Sequence, residues 1–81
     1  MKLYTYQGRC NIAGERIRQA REAEGFSQEQ LAARLQLLGL EITQKSISRI
    51  ETGLRVVPDF ELRFFAQALN KSILWLLGQE S

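Results

Sequence analysis

Glycine punctuation constrains this chain most. Gly25, Gly39, Gly53 and Gly78 each follow a stretch whose apolar residues recur every three or four positions. A glycine in the left-handed region ends a helix at little steric cost, so each stretch reads as one short amphipathic helix. Five such helices are expected. The first runs from about Ile12 to Glu24, with Asn11 as its cap and Ala13, Ile17 and Ala20 on its inner face. The second opens at Ser27, where Ser27-Gln28-Glu29-Gln30 is a capping box. Phe26 and Leu31 flank that cap as a hydrophobic staple, and the stripe continues through Ala32, Leu35 and Leu38. The third opens at Thr43 with Ile42 and Ile47 as a second staple, and Ile47, Ile50 and Leu54 share a face. Pro58-Asp59 opens the fourth, with Asp59 as cap and Leu62, Phe65, Ala66 and Leu69 inside. Ser72 caps a short fifth helix, Ile73 to Leu77. No strand is expected in residues 12–78, so the fold class is all-α.

At 81 residues the chain makes one domain with a thin core. The expected layout is an N-terminal arm over residues 1–11, the helical domain over 12–78 and a tail over 79–81. One cysteine, Cys10, allows no internal disulfide. No histidine is present, which removes the commonest acid–base group and the commonest metal ligand. No metal site, no cofactor and no small-molecule ligand are expected, nor are catalytic residues. No Gly-rich phosphate loop is present either, so the chain is not expected to be an enzyme. The longest apolar run, Ile73 to Leu77, is far short of the roughly 20 residues of a membrane helix. No continuous apolar stretch follows Lys2, so no targeting segment is expected and the expected location is cytoplasmic.

The net charge of +2 says little alone, but residues 43–57 hold three basic groups against one acid. With Ile47 and Ile50 inward, 100° per residue turns Gln44, Lys45, Ser48, Arg49 and Thr52 outward. Gln pairs bidentately with adenine, and Arg or Lys with guanine, on base edges in the major groove. A short helix with this face has the chemistry of a DNA recognition helix. For an isolated helix with the same face, solvated surface would be the preferred reading.

The framework around it decides between these. Gln28-x-x-x-Ala32, Ser46-Ile47-Ser48-Arg49-Ile50-Glu51-x-Gly53 and Leu74-Trp75-Leu76-Leu77-Gly78 resemble the Cro and phage-repressor (XRE-type) helix-turn-helix family. The resemblance covers about residues 12–78. It implies a five-helix, lambda-repressor-like domain that binds double-stranded DNA, usually as a homodimer on a palindromic operator. It implies base contacts from Gln44, Lys45, Ser48 and Arg49, and phosphate contacts from Gln28, Thr52 and Arg55. It also pairs Arg21 with Glu51 as a structural ion pair. One departure is clear: the glycine that the family places in a short turn is here Gln36, and about five extra residues precede Ile47. A longer second helix and a loop over Gly39 to Ile42 are expected, so helices 2 and 3 are joined by a lengthened turn.

The fifth segment is apolar in every direction, so it leaves apolar surface over. Leu74, Trp75 and Leu77 are therefore expected at a two-fold dimer interface, with Phe60 or Phe64 as neighbours. Arg16, Arg18 and Arg34 are expected to be solvated. Lys2 and Arg9 make an arm entering the minor groove a weaker expectation. The expected function is sequence-specific DNA binding by a transcriptional regulator, most simply a repressor of a phage or bacterial operon. The alternative is a protein-interaction or antitoxin-like module that uses the C-terminal apolar helix.

Overall fold

The computed structural model describes residues 5–81. Five helices follow in order: α1 (Gly14–Ala23), α2 (Gln28–Leu37), α3 (Gln44–Glu51), α4 (Asp59–Leu69) and α5 (Ile73–Leu76). The caps explain the starts. The Ser27 hydroxyl accepts from the Gln30 amide at 3.0 Å, and the Gln30 side chain accepts from the Ser27 amide at 2.8 Å. Thr43 accepts from the Ser46 amide at 3.1 Å, and Ser72 from the Trp75 amide at 3.0 Å. Each such bond satisfies a donor that the first helical turn leaves orphaned, contributing about 0.5–2 kcal/mol.

Two starts differ from expectation. α1 begins at Gly14, yet Asn11 still accepts from the Gly14 amide at 2.7 Å and so closes its first turn. At α4 the residue before the helix is Pro58, which has no side-chain donor or acceptor, and Asp59 is the first helical residue. Its carboxylate there still favours the positive end of the helix dipole. Asn70, in the left-handed region at φ 55°, ends α4 where no glycine is available.

α2 packs on α3 and α4, while α1 packs on α3, α4 and α5. The shared core centres on Ile17, Leu31, Leu35, Ile47, Ile50, Phe65, Leu69 and Leu76, all fully buried. The connection from α2 to α3 is part of it. Leu40 and Ile42 are buried, and the Gln36 side-chain amide donates to the Ile42 carbonyl at 2.9 Å. The extra residues therefore form an anchored turn, and both helices keep defined ends. Leu54, expected on the inner face of the third helix, is 60% exposed. The helix stops at Glu51, so its periodicity no longer governs position 54.

Trp75 corrects the expectation for the C-terminal segment. It is only 9% exposed and belongs to the core. The Arg16 guanidinium and the Lys71 ammonium each lie 4.6 Å from its ring centroid. Both cations are within the range at which the ring quadrupole attracts them. Trp75 is thus not left over for an outer interface. Leu74, at 53%, and Phe60, at 55%, are exposed instead. Arg34 is exposed as expected, and it also donates to the Ala68 carbonyl at 3.1 Å and lies over the Phe26 ring.

The N-terminal segment is not a free arm from Tyr6 onward. Tyr6 and Arg9 exchange two backbone hydrogen bonds across a tight turn, with Gln7 and Gly8 at positive φ. Arg9, Cys10 and Asn11 then bond to the chain following α3. Lys2, expected to act in a basic arm, lies outside the described residues.

Candidate nucleic-acid interface

α3 is anchored through Ile47, Ile50 and Glu51, its three buried residues. Gln44, Lys45, Arg49 and Thr52 are exposed, and Ser48 is half-buried beside them. The outward stripe therefore carries two cations and three neutral hydrogen-bonding side chains. The one acid of the helix, Glu51, faces inward, with its side chain 2% exposed.

Glu51 is neutralised where it lies. Arg21 on α1 donates to both carboxylate oxygens, through Nε at 2.7 Å and Nη2 at 3.0 Å. Its Nη1 donates to the Phe26 carbonyl at 2.8 Å. The hydrogen bond to Glu51 raises the Arg21 pKa above its ordinary value, outweighing the opposing effect of burial. Arg21 is thus held in its charged form beside the carboxylate.

A second acceptor site of Glu51 orients a polar chain. Gln28, at the start of α2, donates to Glu51 Oε1 at 3.0 Å, and its own Oε1 accepts from Gln44 at 2.6 Å. Arg21, Glu51, Gln28 and Gln44 therefore form one continuous network across three helices. It fixes the side chain at the N-terminal end of α3 before any ligand arrives. Preorganised contacts lose less side-chain entropy on binding.

Lys45 has no ion-pair or hydrogen-bond partner among the described residues. Arg49 makes one long contact, from Nη2 to the Leu54 carbonyl at 3.4 Å. Thr52 turns its hydroxyl back to the Ser48 carbonyl at 2.9 Å. Arg55 is placed differently from the free phosphate contact that the sequence led us to expect. It donates to both oxygens of Glu61 at 2.7 and 3.0 Å, and Glu61 is buried. That hydrogen bonding raises the Arg55 pKa above its ordinary value. Removing this guanidinium would leave Glu61 unpaired in the interior, so Arg55 is first a structural residue. No composition or spacing signal pairs positions 55 and 61, because they lie on a loop and a helix with different periodicities.

An anchored helix with an acid-free polar face, set against a capped helix that begins beside it, defines a helix-turn-helix DNA-binding domain. The comparison with family models agrees. The helix-turn-helix model of the Cro and repressor (XRE) type matches residues 17–76, well over half of the chain, and the protein belongs to that family. Comparison with curated proteins and with solved structures finds no match. Among the described residues, no helix is long and apolar enough to cross a membrane. No group of three or more His, Cys, Asp or Glu among them could hold a metal ion.

Proposed function

We propose that the protein is a sequence-specific regulator of transcription, a repressor of a phage or bacterial operon, which reads double-stranded DNA with α3. The observation that carries this reading is the asymmetry of α3. Its single acid is buried against Arg21, while Lys45 and Arg49 are exposed on the outer face with no ion-pair partner among the described residues. Gln44, Lys45, Ser48 and Arg49 supply the base contacts. Gln28 and Thr52 sit at the two ends of this surface and contact phosphate, with the α2 N-terminus adding its dipole to the Gln28 contact.

The domain acts as a homodimer on a palindromic site. The exposed Leu74 and Phe60 and the half-buried Leu77 support this, as does a groove of about 530 Å³ that Phe60, Leu62, Ile73 and Leu77 line together with Asp59 and Arg63. A two-fold copy covering it would set two α3 helices about 34 Å apart, one turn of DNA. The same apolar groove favours a second reading, a module that binds another protein in the manner of an antitoxin.

Fluorescence anisotropy with duplex DNA at several salt concentrations tests the reading. The logarithm of affinity should fall linearly with log salt, by about 0.9 per phosphate contacted. Arg49→Ala should lose about 1–3 kcal/mol on the preferred duplex and less on a scrambled one. Salt-independent binding, or equal loss on both duplexes, would remove α3 as the reading element.

A further inference from the structure

The last turn of a helix leaves carbonyls without intrahelical partners. In α3 Thr52 and Leu54 take up the Ser48 and Arg49 carbonyls, while the Ile50 and Glu51 carbonyls receive bonds from a segment that precedes the family match. Arg9 Nη2 donates to the Glu51 carbonyl at 3.1 Å. The Cys10 amide donates to the Gly53 carbonyl at 2.8 Å. Asn11 does the most, since its one side-chain amide donates to Ile50 at 3.0 Å and to Arg55 at 2.8 Å. A single side chain thus ties the end of the helix to the chain five residues further on. The turn it closes, Glu51 to Arg55, contains Thr52 and the left-handed Gly53.

The fit of this segment is close. The Arg9 guanidinium lies over Gly53, where an added Cβ would stand 2.7 Å from Cζ. Asn11 also accepts from the Gly14 amide, so the same residue starts α1 and finishes α3. The two ends of one side-chain amide, Oδ1 and Nδ2 of Asn11, therefore link the start of α1 to the end of α3.

We propose that Asn11 and Arg9 are positioning residues for DNA recognition, holding the C-terminal end of α3 and the following turn in the geometry that docks on the duplex. This rests on the reading of α3 as the DNA-contacting helix. It makes residues 9–11 part of the binding machinery although they lie ahead of the matched family region. Neither residue touches DNA in this account. They act through Thr52 and through the angle at which Arg49 leaves the helix.

The test uses the full chain and a duplex selected from a random library by the wild-type protein, with a scrambled duplex as reference. Asn11→Asp keeps the acceptor for Gly14 but removes both donated bonds, to Ile50 at the end of α3 and to Arg55 beyond it. Arg9→Ala leaves those bonds in place and removes the Arg9 contacts to the Glu51 and Asn11 carbonyls, with the long ion pair to Glu15. Both are measured where Trp75 fluorescence reports full folding, so lost stability does not enter the comparison. The expected result is a fall of about tenfold in affinity for the selected duplex with Asn11→Asp, and a smaller fall with Arg9→Ala. The ratio of selected to scrambled affinity should shrink in both, with the salt slope unchanged because no phosphate contact is lost. If folded variants keep that ratio, the segment is only a structural clip and the proposal is overturned. If Asn11→Asp does not fold, Arg9→Ala decides alone. A wild-type protein that selects no duplex would overturn the DNA reading itself, an outcome distinct from variants that bind as well as wild type.

Discussion

Glu51→Ala is the most informative single substitution. Among the described residues the carboxylate is the only one in an ion pair with Arg21, whose side chain is 11% exposed. Removing it leaves a guanidinium largely enclosed and one Gln28 donor without its acceptor. Breaking a buried pair from one side costs about 3–5 kcal/mol. Arg21 keeps its bond to the Phe26 carbonyl and some contact with water, so the lower end, about 3 kcal/mol, applies here. For a domain of this size that shifts Tm by roughly 12–24 °C, at 4–8 °C for each kcal/mol. Trp75, the one tryptophan, is buried and reports unfolding in urea. A midpoint loss worth less than about 1 kcal/mol would refute the buried-charge reasoning. The double variant Arg21→Met with Glu51→Leu separates stability from function. Apolar replacement of both partners is close to neutral for folding. It nevertheless removes the Glu51 acceptor that orients the Gln28–Gln44 pair, so affinity for the preferred duplex should fall while the urea midpoint stays near wild type.

Three further outcomes follow from the packing. Gly14→Ala should destabilise by about 1–3 kcal/mol, because the new methyl would run into the Ile50 carbonyl of α3; a gain in Tm, normal for Gly to Ala within a helix, would disprove the close approach. Arg55→Ala should lower the urea midpoint by orphaning Glu61, and by the same amount from about pH 6 to about pH 9. The raised arginine pKa puts the loss of this contribution on the far alkaline side, as pH passes through the folded-state value, and the contribution is fully present below the ordinary arginine value; a variant as stable as wild type would return Arg55 to the surface. Leu74→Glu should leave the urea midpoint nearly unchanged, since Leu74 is exposed, yet lower the sedimenting mass if the apolar groove joins two copies; an unchanged mass would remove this face from the dimer.

The helices were legible because the chain states their ends twice, in capping residues and in glycines. Ser27, Thr43 and Ser72 all accept from the amide three residues on. The outward face of α3 was legible because Ile47 and Ile50 fix the phase of the helix, and a rotation of 100° per residue does the rest. Trp75 was not legible. Ile73 to Leu77 are all apolar, so periodicity cannot choose which one turns inward. The choice is made by Arg16 and Lys71, which cover the indole from outside its own helix. The clamp at Arg9 and Asn11 was hidden for another reason. Its acceptors are backbone carbonyls 39 to 44 residues away, and every residue type has one. A side chain bonding to backbone leaves no complementary partner in the sequence to find.

The charge of residues 43–57 combines these two kinds of information. Residues 43–57 carry Lys45, Arg49 and Arg55 against Glu51, a surplus of two positive charges. The surplus is real, but the charges that supply it are not the ones a count suggests. Glu51 is cancelled by Arg21 from α1, and Arg55 is occupied by Glu61 from α4. What remains is Lys45 and Arg49, both on the outer face of α3. Each cancelling pair is buried or partly buried, so salt screens it much less than it screens the exposed residues. Rising salt should therefore weaken DNA binding while leaving the fold almost untouched. That separation lets a small domain keep its interior pairs at the ionic strengths where its grip on DNA is being adjusted.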